Sequence, residues 1–227
     1  MIYTNICEGT FSSRPNRFIA KINVNDTVVI AHVKNTGRCK ELLVSGARVV
    51  LQKSNNLERK TGYDLIAVWK NNRLINIDSQ VPNKAFLEYL QSGRYMDGIT
   101  CIKPEVKYGG SRFDFYVEAG ARKIFIEVKG VTLEEGGIVM FPDAPTARGV
   151  KHLKELVRCV LEGYEAVVVF VIQMQDVKYF MPNNKTHLAF GEALVDAERA
   201  GVKIIALDCK VTENSLTIGK LVPAKLA

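Results

Sequence analysis

Apolar and polar residues alternate in short runs over positions 17–78, the two-residue period of strands that bury one face. Phe18, Ala20, Ile22 and Val24 alternate with Arg17, Lys21 and Asn23. The β-branched run Thr27 to Val33 follows Asn25-Asp26, residue types that tolerate positive φ, so the pair predicts a hairpin. Further strands are predicted at Ala47 to Gln52, Asp64 to Lys70 and Arg73 to Asp78, the last two joined by a second hairpin signal at Asn71-Asn72. Five short antiparallel strands in one stretch suit a small closed barrel, and an OB-type barrel is the common nucleic-acid-binding form. From His32 to Leu43 the alternation stops. Asn35, Thr36, Gly37 and Arg38 suit either a phosphate-holding loop or an ordinary connection into a helical turn.

The segment Ser79 to Asn83 marks a domain boundary, giving units at 1–82 and 83–227. Pro82 disfavours helix before it, Asn83 is suited to cap a helix after it, and Gly93 to end that helix with Phe86, Tyr89 and Leu90 on one face. Strands are predicted at Ile99 to Lys107, Arg112 to Glu118 and Lys123 to Lys129. The period then lengthens: Val150, Leu153, Val157, Val160 and Leu161 recur at helical spacing before Gly163. Ala166 to Ile172 reads as a buried strand, Lys185 to Ala200 as a helix and Val202 to Leu207 as a strand. Strand, helix, strand, helix, strand implies parallel crossovers, so the expected fold is an all-β barrel followed by an α/β unit with a mixed sheet flanked by helices.

The composition is that of a chain that folds by burial, with 47% apolar and 24% charged residues. Its longest apolar run, seven residues, is far short of the roughly 20 that span a bilayer. Met1 to Thr10 has neither a basic leader nor an apolar stretch, and the five cysteines form no close pair. A cytoplasmic protein with reduced thiols and no membrane partner is expected. Charge is uneven: residues 1–82 hold 12 Lys and Arg against 6 Asp and Glu, whereas 83–227 hold 19 against 18. A basic module joined to a near-neutral one suits a polyanion grip, DNA being the expected partner, although a basic surface also serves solubility.

The chemistry gathers on Arg112 to Glu118 and Lys123 to Lys129. Pairing Glu118 with Lys123 sets Asp114 opposite Glu127 and Arg112 opposite Lys129. The pleat then assigns Phe113, Phe115, Val117, Ile124, Ile126 and Val128 to one face and the four charged residues to the other. Two adjacent carboxylates invite a hard cation such as Mg²⁺ or Mn²⁺, with the Val128 carbonyl as a further oxygen and Lys129 beside a phosphoryl group. Phosphodiester hydrolysis suits such a set. The same charges equally suit a surface lattice of ion pairs, Arg112 with Glu127 and Asp114 with Lys129.

A carboxylate on one strand and Glu-X-Lys on the next, here Asp114 and Glu127-Val128-Lys129, resembles the PD-(D/E)XK nuclease-like superfamily. The fuller pattern, NTGRCKEL at 35–42, PEVKYGGSRFDF at 104–115, IEVKGVTL at 126–133 and FPDAPTARGVKHLKEL at 141–156, resembles the sugar fermentation stimulation protein A family over nearly the whole chain. That resemblance implies an N-terminal OB-like domain, a C-terminal nuclease-like domain, non-specific DNA binding and a regulatory role in sugar (maltose) metabolism. It places Asp114, Glu127 and Lys129 at catalytic positions and Glu88 as an acidic residue completing the metal set. Glu105 and Lys107 border the site or pair across strands. Arg38, Lys40, Arg112, Arg148 and Lys151 are the candidate nucleic-acid contacts. For Asp143, capping of the following helix competes with a site role, and for His152 packing does. Two readings stay open, a metal-dependent nuclease and a regulator that holds DNA without cutting. A sugar-processing enzyme has no motif to support it, and the oligomeric state, homodimer included, is not set by the sequence.

Overall fold

The computed structural model describes residues 1–35, 37–56 and 58–226. Six strands build the first unit: β1 (Ile6–Asn16), β2 (Ile19–Val24), β3 (Thr27–Val33), β4 (Arg48–Lys53), β5 (Tyr63–Lys70) and β6 (Arg73–Asn76). They run in the order β3-β2-β1-β4-β5-β6, and a parallel β3–β5 pairing closes the first five into a barrel. Ala20, Ile22, Ala31, Val33, Val49, Leu51, Leu65 and Val68 fill its interior. Asn25 and Asp26 both take positive φ, 48° and 61°, and bring Val24 opposite Thr27 in the predicted hairpin.

The membership of the barrel differs from the sequence expectation. Its fifth wall is β1, which the alternation missed, while Arg73 to Asp78 contributes only β6, an outer strand paired to β5 alone. β1 is rich in Ser, Thr, Pro and Asn, and its register against β2 shifts twice, so it has no even two-residue period to read. At Gly9 a Cβ would stand 2.6 Å from Ile22 Cγ2, so only glycine allows β1 to approach β2 there.

The second unit opens with α1 (Val81–Gln91). Its six-stranded sheet has the order β15-β14-β12-β9-β8-β7. These strands are β7 (Ile99–Tyr108), β8 (Ser111–Ala119), β9 (Arg122–Val131), β12 (Glu165–Ile172), β14 (Lys203–Thr212) and β15 (Ser215–Leu221). β12 is parallel to both neighbours, β9 and β14, and the outer pairs are antiparallel, the mixed sheet that the alternating periods imply. The crossovers are α2 (Ala147–Leu161) and α3 (Asn184–Arg199). A small sheet of β10 (Leu133–Glu135), β11 (Ile138–Phe141) and β13 (Tyr179–Pro182) was not foreseen, its strands being too short to show a period. α1 covers one face of the large sheet through Phe86, packed with Phe115, Val117, Ile124, Ile126 and Val128. Leu153, Leu156 and Cys159 of α2 cover the other with Phe113, Phe125, Val168 and Phe170.

The two units are joined by polar contacts. Gln173 donates to Asn76 Oδ1 and to the Asp78 carbonyl, and Lys70 and Arg73 pair with Glu134. The first residues cross over: Ile2 bridges Ser215, and Leu216 N–H donates to the Met1 carbonyl. Met1 to Tyr3 therefore lie on the sheet edge of the second unit. No helix among the described residues is long and apolar enough to cross a membrane.

Candidate active site

The β8–β9 hairpin has the predicted register, Glu118 opposite Lys123 and Phe115 opposite Ile126. The ladder ends there, and the Asp114 side chain takes over: its Oδ2 accepts the backbone N–H of Val128 at 2.7 Å. The neighbouring β7 turns at the same level, where Glu105 adopts a left-handed φ of 54° between the pairs Pro104–Phe115 and Val106–Phe113. Beyond this bend Phe113 packs with Tyr108, Phe125 and His152 on the α2 side. Assigning Phe113 to the same face as Phe115 is therefore incorrect, because a strict pleat does not survive the bend.

Asp114 and Glu127 are close enough that the Glu127 charge raises the Asp114 pKa, adding to the larger effect of burial. Asn83 of α1 donates to the other Asp114 oxygen, Oδ1, at 2.7 Å. Glu127 is 3% exposed. Burial opposes its ionisation, but hydrogen bonds from His152 and Lys129 outweigh that and hold it below the usual carboxylate range. Both donors use one oxygen: Lys129 Nζ reaches Glu127 Oε1 at 2.5 Å, and His152 Nδ1 meets the same atom. Glu127 Oε2 is buried with no protein partner. A buried carboxylate oxygen left unpaired, beside a second carboxylate, is a donor set suited to a hard divalent cation.

His152 stands on α2, capped by Thr146, whose hydroxyl accepts from Gly149 N–H. The first turns of this helix carry Arg148 and Lys151 to a cleft of about 510 Å³ that Lys107, Gly109, Gly110, Arg112 and His152 also line. Four cations thus line a cleft that reaches the Glu127 carboxylate through His152. The lattice of ion pairs forms differently from either expectation, Lys129 pairing with Glu127 and Arg112 with Glu105 at 3.5 Å.

Several sequence expectations are corrected here. Glu88 does not reach Asp114 or Glu127; its exposed carboxylate pairs with the amino group of Met1. Asn83 is not a cap, Gln80 holding that position, and it is the α1 residue that meets Asp114. Asp143 does not cap α2 but accepts the N–H of Arg38 at 3.2 Å. Among the described residues of the 35–38 loop, Gly37 N–H is taken by Asn35 and Arg38 N–H by Asp143, so neither is left to hold a phosphate. Thr36 lies outside the described residues. Arg14 donates to the carbonyls of Arg17, Asn35, Gly37 and Arg38, so the loop is a strut, followed by a turn in which Leu42 and Leu43 N–H donate to Cys39. Arg38 and Lys40 remain exposed on it, at the seam between the units. His152, which packing would have explained, meets Glu127, a contact between residues 25 positions apart.

Residues 13–77 match the model of the SfsA N-terminal OB domain, and residues 80–215 that of the sugar fermentation stimulation protein RE domain. A sugar fermentation stimulation protein homolog of Desulfitobacterium hafniense (strain Y51) is 62% identical over 226 residues, covering 100% of this chain and 99% of the relative. One from Ruminiclostridium cellulolyticum is 57% identical over 226 residues, with 100% of both chains covered. The structure of Pyrococcus furiosus SfsA in complex with Ca²⁺ superposes with a TM-score of 0.90 at 28% identity, covering 99% of this chain and 98% of that one. With both of its domains matched and its relatives aligned end to end, the chain belongs to the sugar fermentation stimulation protein (SfsA) family.

Proposed function

We propose that this protein is a divalent-metal-dependent phosphodiesterase that acts on DNA in the cytoplasm without sequence preference. The observation that carries this reading is the buried Glu127, anchored through one oxygen and unpartnered at the other, beside Asp114 and a four-cation cleft. Asp114, Glu127 and the Val128 carbonyl would hold Mg²⁺ or Mn²⁺, both hard ions that take oxygen donors. The Ca²⁺ bound by the Pyrococcus furiosus relative is an ion of the same preference. When bound, such an ion supplies an acidified water and offsets charge on a phosphoryl oxygen. The rest falls to the chain. Lys129 uses one N–H on Glu127 and has two left for water or a phosphate oxygen. Arg112, Arg148, Lys151 and Lys107 seat the flanking phosphates, and Arg38 and Lys40 extend the basic track onto the barrel.

The test is cleavage of duplex and single-stranded DNA with Mg²⁺ or Mn²⁺. Wild type is expected to cut, and Lys129→Ala to lose on the order of 10²–10³ in rate while still binding DNA. No cutting by wild type, or cutting unaffected by Lys129→Ala, overturns the reading. The basic excess in residues 1–82 favours a second reading, a regulator of sugar (maltose) metabolism that holds DNA through the same fold without cutting. Salt-sensitive binding with no turnover under any metal supports that alternative.

A further inference from the structure

The His152 ring is 5% exposed and makes one polar contact through each nitrogen. Arg148 Nε donates to His152 Nε2 at 3.3 Å. A guanidinium is a donor only, so Nε2 must be the ring's acceptor and the ring hydrogen sits on Nδ1. Nδ1–H then donates to Glu127 Oε1, the atom that Lys129 also holds. Two donors on one oxygen fix the rotation of the carboxylate and present the other oxygen, Oε2, on the side where the protein offers it nothing. Phe113 meets the ring edge-on, with centroids 6.2 Å apart, and limits its tilt.

From this chain of contacts we propose that His152 is a positioning residue: held as the Nδ1–H tautomer between Arg148 and Glu127, it orients Glu127 so that Oε2 is the oxygen available to a divalent cation. The inference rests on the nuclease reading for the identity of that cation, and not for the tautomer or the orientation. It also gives Arg148 a double task, because a residue that lines the cleft holds His152 through its Nε. Arg148 is thus the link between the phosphate cleft and the carboxylate.

The experiment has two arms on the full chain. The first reads the ring nitrogens of His152 by ¹⁵N NMR without metal. The Nδ1–H form is expected in wild type and also in Arg148→Met, because the ionised Glu127 carboxylate can only accept and keeps the proton on Nδ1. The second measures Mn²⁺ binding by calorimetry. His152→Ala is expected to weaken it about 10–100-fold, the usual cost of removing a residue that orients a ligand. His152→Asn, whose amide nitrogen stands close to the place of Nδ1, recovers most of that loss, whereas His152→Leu, which restores bulk without a donor, does not. An Nε2–H ring in wild type, or recovery by Leu in place of Asn, overturns the proposal, as does wild-type affinity in His152→Ala. A wild type that takes up no Mn²⁺ overturns the metal reading alone, and the tautomer arm still decides whether Arg148 and His152 orient Glu127.

Discussion

The Asn83 side-chain amide donates to Asp114 Oδ1 at 2.7 Å, tying the first turn of α1 to the bend of β8. Val128 N–H holds the other oxygen, so the carboxylate is clamped between a helix and a strand. Removing one jaw frees it to rotate. Asn83→Ala is expected to weaken Mn²⁺ binding about 10-fold. Calorimetry reads this directly, and DNA binding without metal serves as the control, because the cleft cations are untouched. An affinity equal to wild type would show that Val128 alone orients Asp114.

Asp114→Asn should separate stability from function. Burial and the Glu127 charge raise the folded pKa of Asp114 above its ordinary 3.8. A raised carboxyl contributes stability below the unfolded value and loses it as pH rises through the folded value, so at pH 7 its charge is a net cost. An asparagine keeps the Val128 bond through its oxygen, and its amide suits a flipped Asn83 carbonyl. The expected result is a metal-free protein about 1 kcal/mol more stable at pH 7, with no gain near pH 3 and no cleavage. Denaturant melts at the two pH values check the sign, and a loss of stability at pH 7 refutes the account.

How much of this was legible in the sequence depends on the range of the signal. The β8–β9 register could be read because one short turn and a two-residue period fix every later pair, as far as the bend at Glu105 and Asp114. β1 could not, because its polar residues and two register shifts leave no period. α2 stood out through its apolar spacing before Gly163, and α3 as a helical stretch that Gly201 closes. The error over Glu88 was one of helix phase: five residues from Asn83, it stands about 140° away around a helix of 3.6 residues per turn. His152 lies 25 positions from Glu127, and no local pattern signals a contact across that separation.

DNA binding should follow the cleft. Lys107, Arg112, Arg148 and Lys151 line one groove, so affinity is expected to fall with a log–log salt slope of about −0.9 per phosphate neutralised. Arg112→Ala should reduce the magnitude of that slope by about 0.9 and weaken binding alike for unrelated sequences. Fluorescence anisotropy across a salt series measures both. A loss confined to one sequence would point to base reading instead.

Glu165 of β12 is held by Arg122 at 2.6 and 2.9 Å and by Lys203 at 2.8 Å. Those hydrogen bonds, Arg122 first, pull its pKa from 4.5 down to about 2. A depressed carboxyl contributes stability above its unfolded value and loses it as pH falls through the folded one. Glu165→Gln should therefore be less stable than wild type at pH 7, with the difference closing between about 4.5 and 2. The cluster is partly exposed, so the difference should stay at or under about 1 kcal/mol and shrink in 1 M salt. A difference that persists at pH 2 would have to come from packing.

The two units meet closely at Gly37. A Cβ there would stand 2.1 Å from Asp143 Oδ2 and 2.8 Å from Asn35 Oδ1, the two oxygens that accept the N–H groups of Arg38 and Gly37. Gly37→Ala must push Asp143 aside and strip Arg38 N–H of its partner, at a cost of about 1–3 kcal/mol. If the clash with Asp143 is the main term, the double variant Gly37→Ala, Asp143→Ala loses little beyond Asp143→Ala alone, because the obstructing carboxylate has gone. Thermal melts of the four proteins in that cycle give the coupling. Strict additivity would mean that the two residues act independently and that the barrel loop is held by Arg14, through its four carbonyl contacts, without help from the second unit.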